Sequence, residues 1–175
     1  MKKTIVLAGL LSSLLCAGAR AEKLPDGLWK GYDPEFSLIA ERLLALAQAT
    51  PPEKFAWRPA TGVRSTGEVY MHIVMANLWL TGLTGAKTPA FDEKLEKTVT
   101  QKAQVIDWLK RSLEIVKAAR AHTTPADLHK KVRVYDRDSD VDAIFLRIIL
   151  HDSEHMGQLV AYARSCGITP PWSKE

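Results

Sequence analysis

Four stretches of this 175-residue chain repeat apolar residues every three to four positions, and proline or glycine punctuates them. That spacing places the apolar side chains on one stripe of an α-helix. In the first stretch Phe36, Ile39, Leu43, Leu44 and Leu46/Ala47 share a face. Asp33 suits an N-cap, Pro34 the first helical position, and Pro51-Pro52 the stop. The second stretch opens on the capping box Ser65-x-x-Glu68 and carries Val69, His72, Ile73, Ala76, Leu80 and Leu83 before Gly85. The third is expected as one helix from about Asp92 to His122. Val99, Ala103, Ile106, Leu109, Leu113 and Val116 face inward, and Glu96, Lys97, Lys110, Arg111 and Glu114 form a solvated side. The fourth starts at Ser139-x-x-Asp142 and runs to about Cys166, with Gly167 as its stop.

One apolar stripe cannot be buried alone, so four of them predict an all-α four-helix bundle. No segment reads as a convincing strand, although "KKVRVYDRDSD" alternates enough to allow a short extended piece. The long connections suggest crossovers and not a series of hairpins.

The first 21 residues have the three parts of a secretory signal: Lys2 and Lys3, the apolar run Thr4 to Leu15, and the small-x-small site Ala19-Arg20-Ala21. They are expected to be cleaved, leaving residues 22–175 as one domain, periplasmic or secreted, with no stable membrane insertion afterwards. Lipoprotein processing at Cys16 is disfavoured by the bulky Leu15 before it. Without Lys2, Lys3 and Arg20 the 24 basic residues fall to 21, against 20 acidic ones. The formal net charge of +4 belongs mostly to the signal, so composition argues against a nucleic-acid partner. Cys166 is then the one remaining cysteine, which excludes an intrachain disulfide.

The fourth stretch holds the pattern that points to chemistry. His151 and His155 are four apart, about 40° from each other on a helix, on the face that Ile144 and Ile148 begin. A buried imidazole needs partners for both nitrogens, and two adjacent ones are hard to satisfy by packing. A divalent ion satisfies both. His72, within the apolar stripe of the second stretch, is the candidate third ligand, while His122 and His129 fall in polar connecting sequence. Three neutral imidazoles leave positions open for water or substrate, the arrangement of a catalytic site. Glu154, Gln158 and Tyr162 are weak candidates for catalytic roles beside them, and Met75 and Trp79 for a pocket wall or plain core. His151-x-x-Glu154-His155 also spells the inverted zinc-peptidase signature, but the acidic ligand it needs further on has only Glu175 to supply it.

Ser65-x-x-Glu68-x-x-x-His72 preceded by Trp57-Arg58-Pro59, and His151-x-x-x-His155-x-Gly157-Gln158 running to Pro170-Pro171-Trp172, resemble the DinB/YfiT superfamily over nearly all of residues 22–175. The resemblance implies an up-down-down-up bundle, a metal triad on His72, His151 and His155, nickel or zinc as the ion, and a homodimer. The superfamily includes thiol-dependent transferases and isomerases as well as hydrolases. Low-molecular-weight thiols are cytoplasmic, so an exported chain argues against the thiol branch. The expectation is therefore a metal-dependent hydrolase or transferase acting on a small molecule. A non-catalytic metal-binding bundle and a thiol S-transferase are the alternatives.

Overall fold

The computed structural model describes residues 29–173. The expected signal segment and Cys16 lie outside the described residues. Six helices and one hairpin follow in order: α1 Trp29–Ala49, α2 Thr66–Leu83, α3 Leu95–Thr98, α4 Lys102–His122, α5 Pro125–Leu128, β1 Lys131–Val134, β2 Arg137–Asp140 and α6 Val141–Ser165.

The long helices α1, α2, α4 and α6 form the expected bundle. α2 packs against α4 and α6, and α1 packs against the same two, so α1 and α2 sit on opposite corners. Contacts between ends fix the directions. Lys102, at the start of α4, donates to the carbonyls of Gln48 and Thr50 at the end of α1, which makes α1 and α4 antiparallel. Tyr32 meets Phe145 at the starts of α1 and α6, and Arg42 lies over Trp172 beyond the end of α6, so those two helices are parallel. Tyr162, late in α6, bonds to the Arg64 carbonyl just before α2, so α2 runs against α6. The course is up-down-down-up. Because α2 and α4 run the same way, the chain must return along the bundle between them, and residues 84–101 make that crossover.

The long helices keep some of their sequence expectations and depart from others. α1 begins before Pro34, which lies inside the helix, and not with Asp33 as cap. Tyr32 is buried in the extra turn, where it stacks on Phe36 and meets Phe145 edge-on, so burial outweighs the missing proline N–H. α2 keeps its capping box: the Ser65 hydroxyl accepts from the Glu68 N–H while the Glu68 carboxylate accepts from the Ser65 N–H. It is buried on more than one stripe, with Tyr70, Met71, Val74, Asn77 and Leu78 inside as well as Val69, Ile73 and Leu80. That suits the central helix of the bundle. The α6 cap is Asp140, whose carboxylate accepts from the Ala143 N–H, and not Ser139.

The largest correction concerns the third helix. It is broken: one turn, α3, stops at Thr98, and α4 begins only at Lys102. Val99 and Gln101 are extended between them, in the β-branched run Thr98-Val99-Thr100 that disfavours helix. The inward face of α4 is Val105, Leu109, Ser112, Leu113 and Val116, and Ala103 is exposed. The polar connection before α6 is ordered as an antiparallel hairpin pairing Lys131 with Asp140 through Val134 with Arg137. Tyr135 at its tip holds the left-handed φ of 51°, a conformation that costs a bulky residue on the order of 1 kcal/mol. Among the described residues no helix is long and apolar enough to cross a membrane.

Candidate metal centre

His72 lies mid-way along α2, and His151 and His155 lie one turn apart on α6. Because α2 and α6 pack side by side, the three imidazoles meet. Ring centroids are 4.4 Å apart for His151 and His155, 4.9 Å for His72 and His155, and 5.1 Å for His72 and His151. One nitrogen from each lies within 4.8 Å of the other two, so the group can hold a metal ion. Two nitrogens bound at about 2.1 Å to one ion are at most about 4.2 Å apart, so a small inward turn of one ring completes the site. His122, the last residue of α4, and His129, in the connection that follows, are exposed, as expected.

The nitrogens facing away from the centre are largely partnered, which fixes ring orientation and tautomer. His72 Nδ1 is 3.3 Å from Glu96 Oε2. His155 Nδ1 is 2.8 Å from Gln158 Oε1; Gln158 Nε2 donates to the Tyr162 hydroxyl, and that hydroxyl donates to the Arg64 carbonyl. Trp57 meets the Tyr162 ring edge-on at 5.2 Å, so the Trp57-Arg58-Pro59 loop supports this relay from outside. Gln158 and Tyr162 thus orient a histidine; neither lines the cleft described below. Glu154 does line it, is exposed, and makes no bond to the three rings.

His151 is the most enclosed of the three. Its Nε2 is 3.3 Å from His72 Nε2, while its buried Nδ1 has no partner and lies 4.0 Å from Asp152 Oδ1, also unpartnered. Two imidazole nitrogens that close share one proton at most. Burial, and then the neighbouring His155 and His72, push the His151 pKa down to about 3. Burial also lowers His72, with help from Arg64 and His155 and against the pull of Glu96. Both rings are therefore neutral near pH 7, with nitrogens free to bind an ion. Asp152 is fully buried, and desolvation raises its carboxyl to about 8 although Asn77 donates to it at 3.3 Å.

Sequence reasoning placed Glu96 on a solvated helix face, and that placement is wrong. The break after α3 turns this acid inward, where it is 9% exposed and bonds both His72 and the Arg64 guanidinium, the latter at 2.8 Å. Lys97 bridges to Glu68, which also pairs with Arg58. One ion-pair network thus joins the crossover, the start of α2 and the Trp57-Arg58-Pro59 loop. Asp152 was missed too, although it stands beside His151 in the sequence. Only its position on the inward side of α6 marked it.

The group forms the floor of an open cleft of about 730 Å³. Met75 and Trp79 line it, together with Phe91 from the crossover and Tyr135 from the hairpin. Among the described residues no fourth histidine and no cysteine joins the three, so the cleft side of the group faces space that water or a ligand can enter.

The model of the DinB superfamily matches residues 35–159, most of the chain and all three histidines. The chain belongs to the DinB superfamily. Two solved structures of DinB-like proteins share the fold. One, from Bacillus cereus ATCC 10987, is 22% identical with a TM-score of 0.73, covering 83% of this chain and 97% of its own. The other, from Bacillus subtilis, is 17% identical with a TM-score of 0.65, covering 79% of this chain and 93% of its own. No curated protein matches the chain significantly. The antiparallel pair α2–α6 that carries the histidines also packs against α3 in the crossover and against the hairpin.

Proposed function

We propose that this DinB-superfamily protein is an exported metal-dependent enzyme, a hydrolase or transferase acting on a small molecule, with His72, His151 and His155 holding the ion. One observation carries the reading. Three imidazoles converge on the floor of an open cleft, two of them with the far nitrogen held by Glu96 or Gln158. The all-nitrogen donor set suits zinc or nickel. A divalent ion there supplies Lewis acidity, polarising an oxygen or acidifying water. The protein's own groups hold His72 and His155 through Glu96 and Gln158, bury His151 in the side of α6, and leave the front open. The signal-like residues 1–21 support export, and the family resemblance supports a homodimer.

Metal analysis of the purified protein beside His72→Ala and His151→Ala tests the site. The expected result is one ion per chain, lost in both variants; full metal in either variant sinks the triad. Turnover is tested separately with the cobalt-substituted protein. A change in its visible spectrum on adding azide or a small thiol shows an exchangeable position. An unchanged spectrum favours the non-catalytic metal-binding bundle.

A further inference from the structure

The cleft carries two kinds of chemistry. Beside the histidines and Glu154 is an aromatic wall: Trp79 and Tyr135 lie with ring centroids 5.1 Å apart, and Phe91 and Met75 line the same cleft. These residues come from three separate elements, α2, the crossover and the hairpin tip. Tyr135 is 66% exposed and sits at a left-handed φ of 51°. A large aromatic residue held exposed, in a backbone conformation that asparagine or glycine would adopt with less strain, is poorly explained by stability alone. Its ring continues the apolar wall that Trp79 begins.

Arg147 lines the same cleft one turn before His151. Two arginines reach this space, but Arg64 is bonded to Glu96. Arg147 is exposed and has no ion-pair partner among the described residues, and the acids of the cleft, Glu93 and Glu154, are not bonded to it. It is the cation available to an incoming anion.

We propose that the cleft selects a small molecule with an aromatic ring and a carboxylate, the ring on the Trp79–Tyr135 wall and the carboxylate at Arg147. The molecule then lies beside the three histidines, which line the same cleft. The volume of about 730 Å³ admits such a ligand with room for a second group. The inference rests on the cleft being the substrate site proposed above, and not on the identity of the ion.

Phenylacetate and acetate are suitable probes, titrated into metal-free and zinc-loaded protein while the indole N–H signal of Trp79 is followed by NMR. Phenylacetate is expected to bind at least about tenfold more tightly than acetate in both forms, because only its ring can use the wall. Tyr135→Ala should cut that preference about threefold or more; the residue is exposed at a hairpin tip, so the fold does not depend on it. Arg147→Gln should weaken both carboxylates alike and leave the preference intact. Equal binding of the two probes, or a preference that survives Tyr135→Ala unchanged, overturns the proposal. Failure of the metal reading shows differently: the protein takes up no zinc, while the aromatic preference is still measured on the metal-free form.

Discussion

Glu96 shows how far a single residue's role depends on its surroundings. By composition it belongs to a charged run, and nothing in the run separates it from Lys97 or Glu93. In the fold its carboxylate lies between a histidine nitrogen and a guanidinium, at 3.3 and 2.8 Å. A carboxylate on the far nitrogen of a ligand histidine holds its tautomer and makes it more basic, and losing such a partner weakens metal binding about 10- to 100-fold. Glu96→Ala is expected to lower zinc affinity by that factor, measured by competition with a chromophoric chelator. Glu96→Gln, which keeps an acceptor oxygen, should retain more of it. Equal affinity in wild type and Glu96→Ala would remove the acid from the site. The histidines themselves were legible, because an imidazole pair four residues apart in an apolar helix has few structural explanations.

At the level of elements, one of the three helix-start signals read from the sequence is present as expected, and the caps expected at Asp33 and Ser139 are not. The capping box of α2 is present with both of its hydrogen bonds. Ser65→Ala removes one of them at a buried position and should lower the unfolding free energy by about 1 kcal/mol, read from urea denaturation. The variant should retain its metal, since Ser65 does not touch the three histidines. The helix expected over 92–122 failed as well. Periodicity sees an apolar stripe continuing from Val99 to Ala103, but it cannot see that extended backbone at Val99 and Gln101 lets α3 pack onto α2. The hairpin was half visible. Its alternation was in the sequence, but its tip holds Tyr135 at a left-handed φ that no turn rule would assign to tyrosine.

For the whole molecule, the bundle gathers opposing titrations into its interior. His151 is held neutral, with its pKa lowered to about 3, and Asp152 is held protonated, raised to about 8, both chiefly by burial. In the metal-free protein the signs are opposite. The depressed histidine contributes stability that is present above its unfolded pKa near 6.5 and is lost as the pH falls toward 3. The raised carboxyl contributes stability that is complete below about 4 and is lost as the pH rises through 8. Between about 4 and 6.5 the two trends oppose each other, so the melting temperature should change little there and fall on either side. Asp152→Asn should abolish most of the decline between pH 6.5 and 8.5 in thermal melts of the metal-free protein. A decline that persists in that variant assigns it to another group.

What the sequence determined by itself was whatever depends on neighbours along the chain. Helix periodicity, caps and stops follow from residues within one or two turns, and the His151–His155 pair follows from four residues of spacing. His72 was reached by asking which other apolar face carried an imidazole, and the family motifs agreed. Only the tertiary structure decided which helices touch, and therefore that Glu96 bonds His72, that Asp152 is sealed in the core, and that Trp79, Phe91 and Tyr135 build one wall. Those contacts join residues tens of positions apart through the crossover and the hairpin, and local propensity carries no information about how such connections close.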